Sequence, residues 1–529
     1  MIGEGSVTES ILIRGGEIID GTGASRKRGD VLVRWGRILE IGDLSHAEAD
    51  LVIDAQGKVV CPGFIDTHVH SDLDLLARPE HIPALAQGIT TEILGQDGLS
   101  YAPLSGENLV EYRKYLAGLN GDPQLDLSWS SVAEFRQLFH NKVAVNTAYQ
   151  VPHGALRLET VGFQDVPLTG ANLKKAQQLL AEGFEQGAVA FSTGLSYYPC
   201  SYADTDELVE LCKVAALYQR PFVIHLRTVF PAEPFDPVEE AIEIAERSGA
   251  PLHFSHFRTS VLNPGQVDAL MAPIDAAIER GVDVSLECYP YPAGAGFTLY
   301  MIPRWAHEGG FGALMARLAD PKSRKKIEED MVELGLLHDG IITYLPEGPD
   351  RVLVGRTFAE VAEERGMEMS TLICDLMLNN KLAVGFKQPP PEHDVWEQID
   401  RDIMQLMQRP NYMVGSDSLI IGTHTHPRTY GSFPRFLRLQ RQHGFMPLED
   451  LINRMTAVPA RRFGLADRGE IKRGKAADIV VFDPEDIGER ATYEDPNQLA
   501  DGVCYVLVNG KIAYSHGKFL GVLAGRALP

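Results

Sequence analysis

The feature that most constrains this chain is a recurrence. Eight short apolar segments of β-type composition each end in polar residues and lead into a stretch of helical periodicity. They cover residues 59–70, 89–95, 144–153, 188–194, 221–227, 251–257, 283–291 and 412–417. Intervening stretches, such as 206–218 and 238–247, carry acidic first turns and the 3.6-residue apolar period of amphipathic helices. Near-continuous apolar strands are buried on both faces, and strands that alternate with helices form parallel sheets. Eight of them predict an α/β fold of the (β/α)8 TIM-barrel type, with chemistry at the strand C-terminal ends. The seventh connection, about 292–410, is far longer than a crossover and has helical stretches of its own at 325–334 and 370–378. It is expected to be an insertion between strands 7 and 8 that covers the barrel mouth.

Both chain ends read differently. Ile11-Leu12-Ile13-Arg14 runs into Gly15-Gly16, and Val503-Cys504-Tyr505-Val506-Leu507-Val508 runs into Asn509-Gly510, which is followed by Lys511-Ile512-Ala513-Tyr514. Asn-Gly between two strand-like runs predicts a hairpin. Neither end has enough apolar surface for its own core, so the two are expected to form one small β-sandwich. The expected division is 1–61 and 466–529 for the sandwich and 62–465 for the barrel.

The balance of 49 Lys plus Arg against 72 Asp plus Glu gives a net charge of -23, which opposes sequence-independent binding to nucleic acid or to anionic membrane. No uninterrupted apolar run approaches the ~20 residues of a membrane span. The first ten residues have neither a basic residue nor an apolar run, so no secretory signal is read there. Six scattered cysteines form neither a CxxC pair nor a disulfide-scaffold spacing. The expectation is a cytoplasmic protein acting on a small molecule, with no nucleic-acid or membrane partner.

Pro62-Gly63-Phe64-Ile65-Asp66-Thr67-His68-Val69-His70 is the strongest chemical signal. Residues i and i+2 of a strand share a face, so His68 and His70 project together, as two ligands of one metal ion do. His225 closes the fifth segment, His256 the sixth and Asp417 the eighth. Strand ends of one barrel converge on one mouth, so these five side chains point to a metal centre there.

This pattern resembles the amidohydrolase superfamily, and within it the N-acyl-D-amino-acid deacylase (D-aminoacylase) family. The likeness is carried by Gln87-Gly88-Ile89-Thr90-Thr91-Glu92, Ser192-Thr193-Gly194-Leu195, Cys288-Tyr289-Pro290-Tyr291 and the run His426-Pro427-Arg428-Thr429-Tyr430-Gly431-Ser432-Phe433-Pro434-Arg435. It extends over nearly the whole chain. One departure stands out: where the family often has Gly-Asn-Cys-Gly, with a metal-binding cysteine, this chain has Gly95-Gln96-Asp97-Gly98. A carboxylate can bridge two metals but is harder than a thiolate and loosens the preference for zinc. The plainer reading makes Asp97 a turn residue before Gly98.

The resemblance implies one or two Zn2+ ions held by His68, His70, Asp97, His225, His256 and Asp417. Asp97, His225 and His256 would take the tighter ion, and Asp417 would serve as general base; the plainer alternative leaves Asp417 a ligand only. Arg258, Tyr289 and Arg304 are implied to clamp a substrate α-carboxylate. Tyr197 would line the acyl or side-chain pocket, and His153 would face the mouth or be a satisfied core histidine. The implied reaction is hydrolysis of an N-acyl-D-amino acid to a carboxylate and a D-amino acid. Cleavage of a D-configured dipeptide, a cyclic amide or a carbamate is the nearest rival, and a non-catalytic metal-binding scaffold a more distant one.

Overall fold

The computed structural model describes residues 10–227 and 236–529. The first nine residues, on which most of the secretory-signal reading rests, lie outside the described residues.

Eight parallel strands pair in chain order: β1 (Phe64–Asp66), β2 (Ile89–Leu94), β3 (Asn146–Pro152), β4 (Ala190–Gly194), β5 (Phe222–His225), β6 (Leu252–Phe254), β7 (Val284–Cys288) and β8 (Tyr412–Val414). The ring closes just beyond the ends of β8 and β1. There Val69 bridges Ser418, the Asp417 N–H donates to the His68 carbonyl (2.8 Å), and the His70 N–H donates to the Ser418 carbonyl (3.1 Å). Closure therefore runs through the segments that carry His68, His70 and Asp417.

The expected first strand divides in two. Val59–Pro62 pairs antiparallel with Ile479–Phe482 in the terminal sheet, and the barrel begins only at Phe64. Gly63 sits at the crossover, where a Cβ would approach the Thr90 hydroxyl to 2.1 Å, so only glycine lets the chain pass this close to β2. One apolar run thus serves two sheets, which periodicity alone does not separate.

The terminal sheet draws nine strands from both chain ends, and the pairing of Val59–Pro62 with Ile479–Phe482 is the seam between them. Ile11, Ile13, Val31, Val33, Ile479 and Val481 fill its core. The Asn509-Gly510 turn forms as expected, with Val508 opposite Lys511 and φ of 50° and 77°, the left-handed pair that a two-residue hairpin needs. Asn509 also ties sandwich to barrel, donating to Asn146 Oδ1 (2.7 Å) and accepting from Arg468 (2.9 Å).

At the floor of the barrel, Leu528 packs with Ile65, Ile93, Val223 and Met413. The tail is held there by Gly525 N–H to the Val143 carbonyl (2.8 Å) and Leu528 N–H to the Thr147 carbonyl (2.7 Å), beside the start of β3. At the other end, the long seventh connection folds a three-stranded antiparallel sheet, Ala295–Phe297, Gly385–Lys387 and Ile341–Tyr344, which contributes Phe297 and Phe386 to the mouth. Among the described residues, no helix is long and apolar enough to cross a membrane.

Candidate metal centre

All six expected ligand residues meet at the barrel mouth. Asp97 Oδ2 lies 3.6 Å from His68 Nε2, 3.5 Å from His70 Nε2 and 3.5 Å from His225 Nδ1. Asp417 Oδ1 lies 3.7 Å from His68 Nε2 and 3.5 Å from His70 Nε2. His225 Nδ1 and His256 Nε2 are 2.8 Å apart. Ligand atoms at about 2.1 Å around a tetrahedral ion stand roughly 3.4 Å from one another. Most of these separations fit that shell and exceed an ordinary hydrogen bond. Two triplets each hold their atoms within 4.8 Å of one another, His68 with His70 and Asp417, and His68 with Asp97 and His256.

Local backbone conformation places three of the six. Asp97, His256 and Asp417 have φ of 56°, 36° and 52°. Left-handed conformation at a non-glycine residue costs about 1–3 kcal/mol and persists where surrounding structure enforces it. Each of these residues lies just past the end of its strand, where the turn swings its side chain over the barrel axis.

Beneath the cluster is a residue that the sequence reading missed. Glu287, fully buried on β7, accepts from His68 Nδ1 through Oε1 (2.5 Å) and from the Thr67 hydroxyl through Oε2, which also lies 3.2 Å from His253 Nε2. His253 in turn contacts Ser285 Oγ at 2.7 Å. A histidine whose Nδ1–H is held by a carboxylate presents Nε2 as a lone pair, the tautomer a metal needs. His68 Nε2 is buried and has no hydrogen-bond partner, and the same holds for Asp97 Oδ1. Zinc fits this donor set, since two carboxylates and imidazole nitrogens stand at coordinating separation with unspent atoms among them.

The charges are mutually supporting. Burial alone would raise the Asp97 carboxyl, yet His68 and His225 hold it well below the usual carboxylate range. Burial likewise opposes ionisation of Asp417, and the Arg428 guanidinium with His68 lowers it nonetheless. Arg428 Nη1 is 2.8 Å from Asp417 Oδ2, with both side chains nearly enclosed.

A cavity of about 330 Å³ opens above the cluster. Tyr197 lines it as expected, its ring 4.8 Å from His225 and stacked 5.6 Å from Phe297. Tyr289 and Arg428 also face it. Three expected substrate contacts are placed differently. Arg258 lies against Tyr289 rather than on the cavity wall, donating to the Tyr289 hydroxyl (3.1 Å) and to the carbonyls of Thr259 (2.8 Å) and Pro292 (3.1 Å). Arg304 is drawn to the rim of the barrel by Asp165 (2.5 Å) and the Ser201 carbonyl (3.0 Å), with its guanidinium over Tyr202. His153 has both nitrogens engaged, with Glu207 (2.8 Å) and Thr193 (2.9 Å), and is a satisfied core histidine. His426 is likewise spent on Tyr493 and on the Arg428 N–H.

The model of the Amidohydrolase family matches residues 51–192 and 352–514. N-acyl-D-glutamate deacylase of Alcaligenes xylosoxydans xylosoxydans is 34% identical over 505 residues, covering 94% of this chain and 92% of the relative. D-aminoacylase of the same organism is 32% identical over 521 residues, covering 98% and 97%. A crystal structure of N-acyl-D-glutamate deacylase from Bordetella bronchiseptica, holding zinc and a phosphonate inhibitor that mimics the tetrahedral intermediate, superposes with a TM-score of 0.81 at 32% identity, over 99% of this chain and 100% of that one. A crystal structure of D-aminoacylase gives 0.80 at 30%, again over 99% and 100%. With the barrel, the ligand cluster and these likenesses over nearly the full length, the chain belongs to the amidohydrolase family, in its N-acyl-D-amino-acid deacylase (D-aminoacylase) group.

Proposed function

We propose that this protein hydrolyses the amide bond of N-acyl-D-amino acids, releasing a carboxylate and a free D-amino acid, with zinc as its cofactor. The observation that carries this reading is a cluster of six ligand-type side chains, five of which line one cavity together with a buried arginine. Such a cavity suits a substrate with a hydrolysable carbonyl and a nearby carboxylate. The D configuration is supported by the activities of the relatives.

His68, His70, Asp97, His225, His256 and Asp417 are the residues that would hold the metal. Bound zinc supplies a Lewis acid for the amide carbonyl and lowers the pKa of water from 15.7 toward ~7. Asp417 takes a proton from the attacking water and returns it to the leaving nitrogen. Its Oδ2 is anchored by Arg428, which fixes the carboxylate over the histidines. The Tyr289 hydroxyl and the Arg428 guanidinium orient the substrate α-carboxylate, and Arg258 holds Tyr289 in place. Six buried thiols without a disulfide support residence in the reducing cytoplasm.

The test is hydrolysis of paired N-acetyl-D- and N-acetyl-L-amino acids by zinc-reconstituted protein. Turnover confined to the D series is the expected result. Turnover of L substrates, or of dipeptides or cyclic amides alone, overturns it.

A further inference from the structure

We propose that the substrate's side chain is neutral and apolar, so that N-acyl-D-glutamate and N-acyl-D-aspartate are not substrates, although relatives of similar identity are deacylases of those acids. This inference rests on the deacylase reading above and narrows it to one substrate class.

An N-acylated acidic amino acid brings two carboxylates into the cavity. One meets Arg428, whose guanidinium already pairs with Asp417. The second needs another cation or a set of strong donors, because an ionised carboxylate taken from water without a partner is heavily penalised. Among the described residues lining the cavity, Arg428 is the only lysine or arginine. Residues 228–235, outside the described residues, contain neither Lys nor Arg.

Arg258, Lys387 and Arg304 do not line the cavity, and each is spent on other partners. Arg258 is committed to two backbone carbonyls and the Tyr289 hydroxyl. Lys387 is fully buried, its ammonium donating to the carbonyls of Thr425 (3.0 Å) and Tyr493 (2.8 Å). Arg304 is paired with Asp165. His338 reaches the cavity rim with its ring 5.9 Å from Tyr300, and burial lowers its pKa, so it stays neutral near pH 7.

The apolar part of the wall includes Leu99, Leu119, Phe297, Phe386 and Leu419, and the neutral side chains of Tyr197, Tyr300 and Gln388 stand among them. Two come from the inserted three-stranded sheet, so the insertion supplies much of the apolar face. This surface gains by covering a leucine-, methionine- or phenylalanine-like side chain. A cavity of about 330 Å³ also leaves room for an apolar acyl group.

The deciding experiment compares kcat/KM of the zinc-reconstituted protein for N-acetyl-D-leucine, -methionine and -phenylalanine with that for N-acetyl-D-glutamate and -aspartate. The neutral substrates are expected to be better by about 100-fold or more, the discrimination an unpaired buried charge imposes. Equal or better turnover of the acidic pair overturns this proposal and leaves the deacylase reading intact. Turnover only of L substrates or cyclic amides overturns both. Calorimetry of free D-leucine and D-glutamate binding reads the same pocket without turnover. Tighter binding of D-leucine supports the proposal, and equal or tighter binding of D-glutamate overturns it.

Discussion

His68 and His153 make an instructive pair. Both follow the end of a barrel strand, both are fully buried, and both touch a buried glutamate. They differ in what is left over. Glu207 and Thr193 take both nitrogens of His153, and Arg157 completes that network through Glu207. Glu287 takes one nitrogen of His68 and leaves the other unpartnered, facing Asp97 and Asp417. Position at a strand end therefore does not make a ligand. An unspent lone pair held toward other unspent atoms does.

The comparison can be broken in order of effect. Replacing Asp417 with Asn removes the proposed general base and is expected to lower kcat by roughly 10²–10⁴-fold. Zinc content, measured by elemental analysis, should remain; substantial residual activity would show that Asp417 is a ligand only. Glu287→Gln keeps the shape beneath His68 but withdraws the carboxylate that fixes its tautomer. A 10–100-fold weakening of zinc affinity is expected by chelator competition. Unchanged affinity would make Glu287 a structural hydrogen-bond partner only, as Glu207 is to His153.

His153→Leu sharpens the contrast from the other side. It leaves Glu207 short of one partner and should cost about 1–3 kcal/mol of stability in chemical denaturation. Zinc content and kcat/KM of the folded protein should hold, and a loss of zinc would show that His153 supports the metal centre. The smallest effect is expected for Arg304→Ala. Its pair with Asp165 is partly exposed, with the arginine side chain 46% accessible, and such pairs contribute about 0–1 kcal/mol. No change in KM is expected, and a rise in KM would restore Arg304 to the substrate clamp.

Much of this was readable because its signals are local. An apolar run names a strand, and the polar residue closing it names the mouth; His68, His70, His225, His256 and Asp417 all follow that rule. What escaped depends on long-range placement. Glu287 did leave a trace, since Ser285 and Glu287 share one face of an otherwise apolar strand, but its partner His68 is 219 residues away. Arg304 follows β7 closely in sequence, yet a pair of short turns carries it to an aspartate from another connection. The first strand was misjudged for a related reason. Residues 59–65 carry no polar side chain, and the handover between two sheets at Gly63 is set by the close approach of Thr90.

The tail under the barrel floor gives the molecule a built-in handle. Gly525 and Leu528 are bonded beside the start of β3, at the end of the barrel away from the cavity, while Pro529 is exposed. Attachment to a resin or electrode through position 529 would therefore present the mouth outward, toward the flowing solution. Attachment through surface lysines offers no such control, because it fixes the enzyme in whatever orientation reacts first.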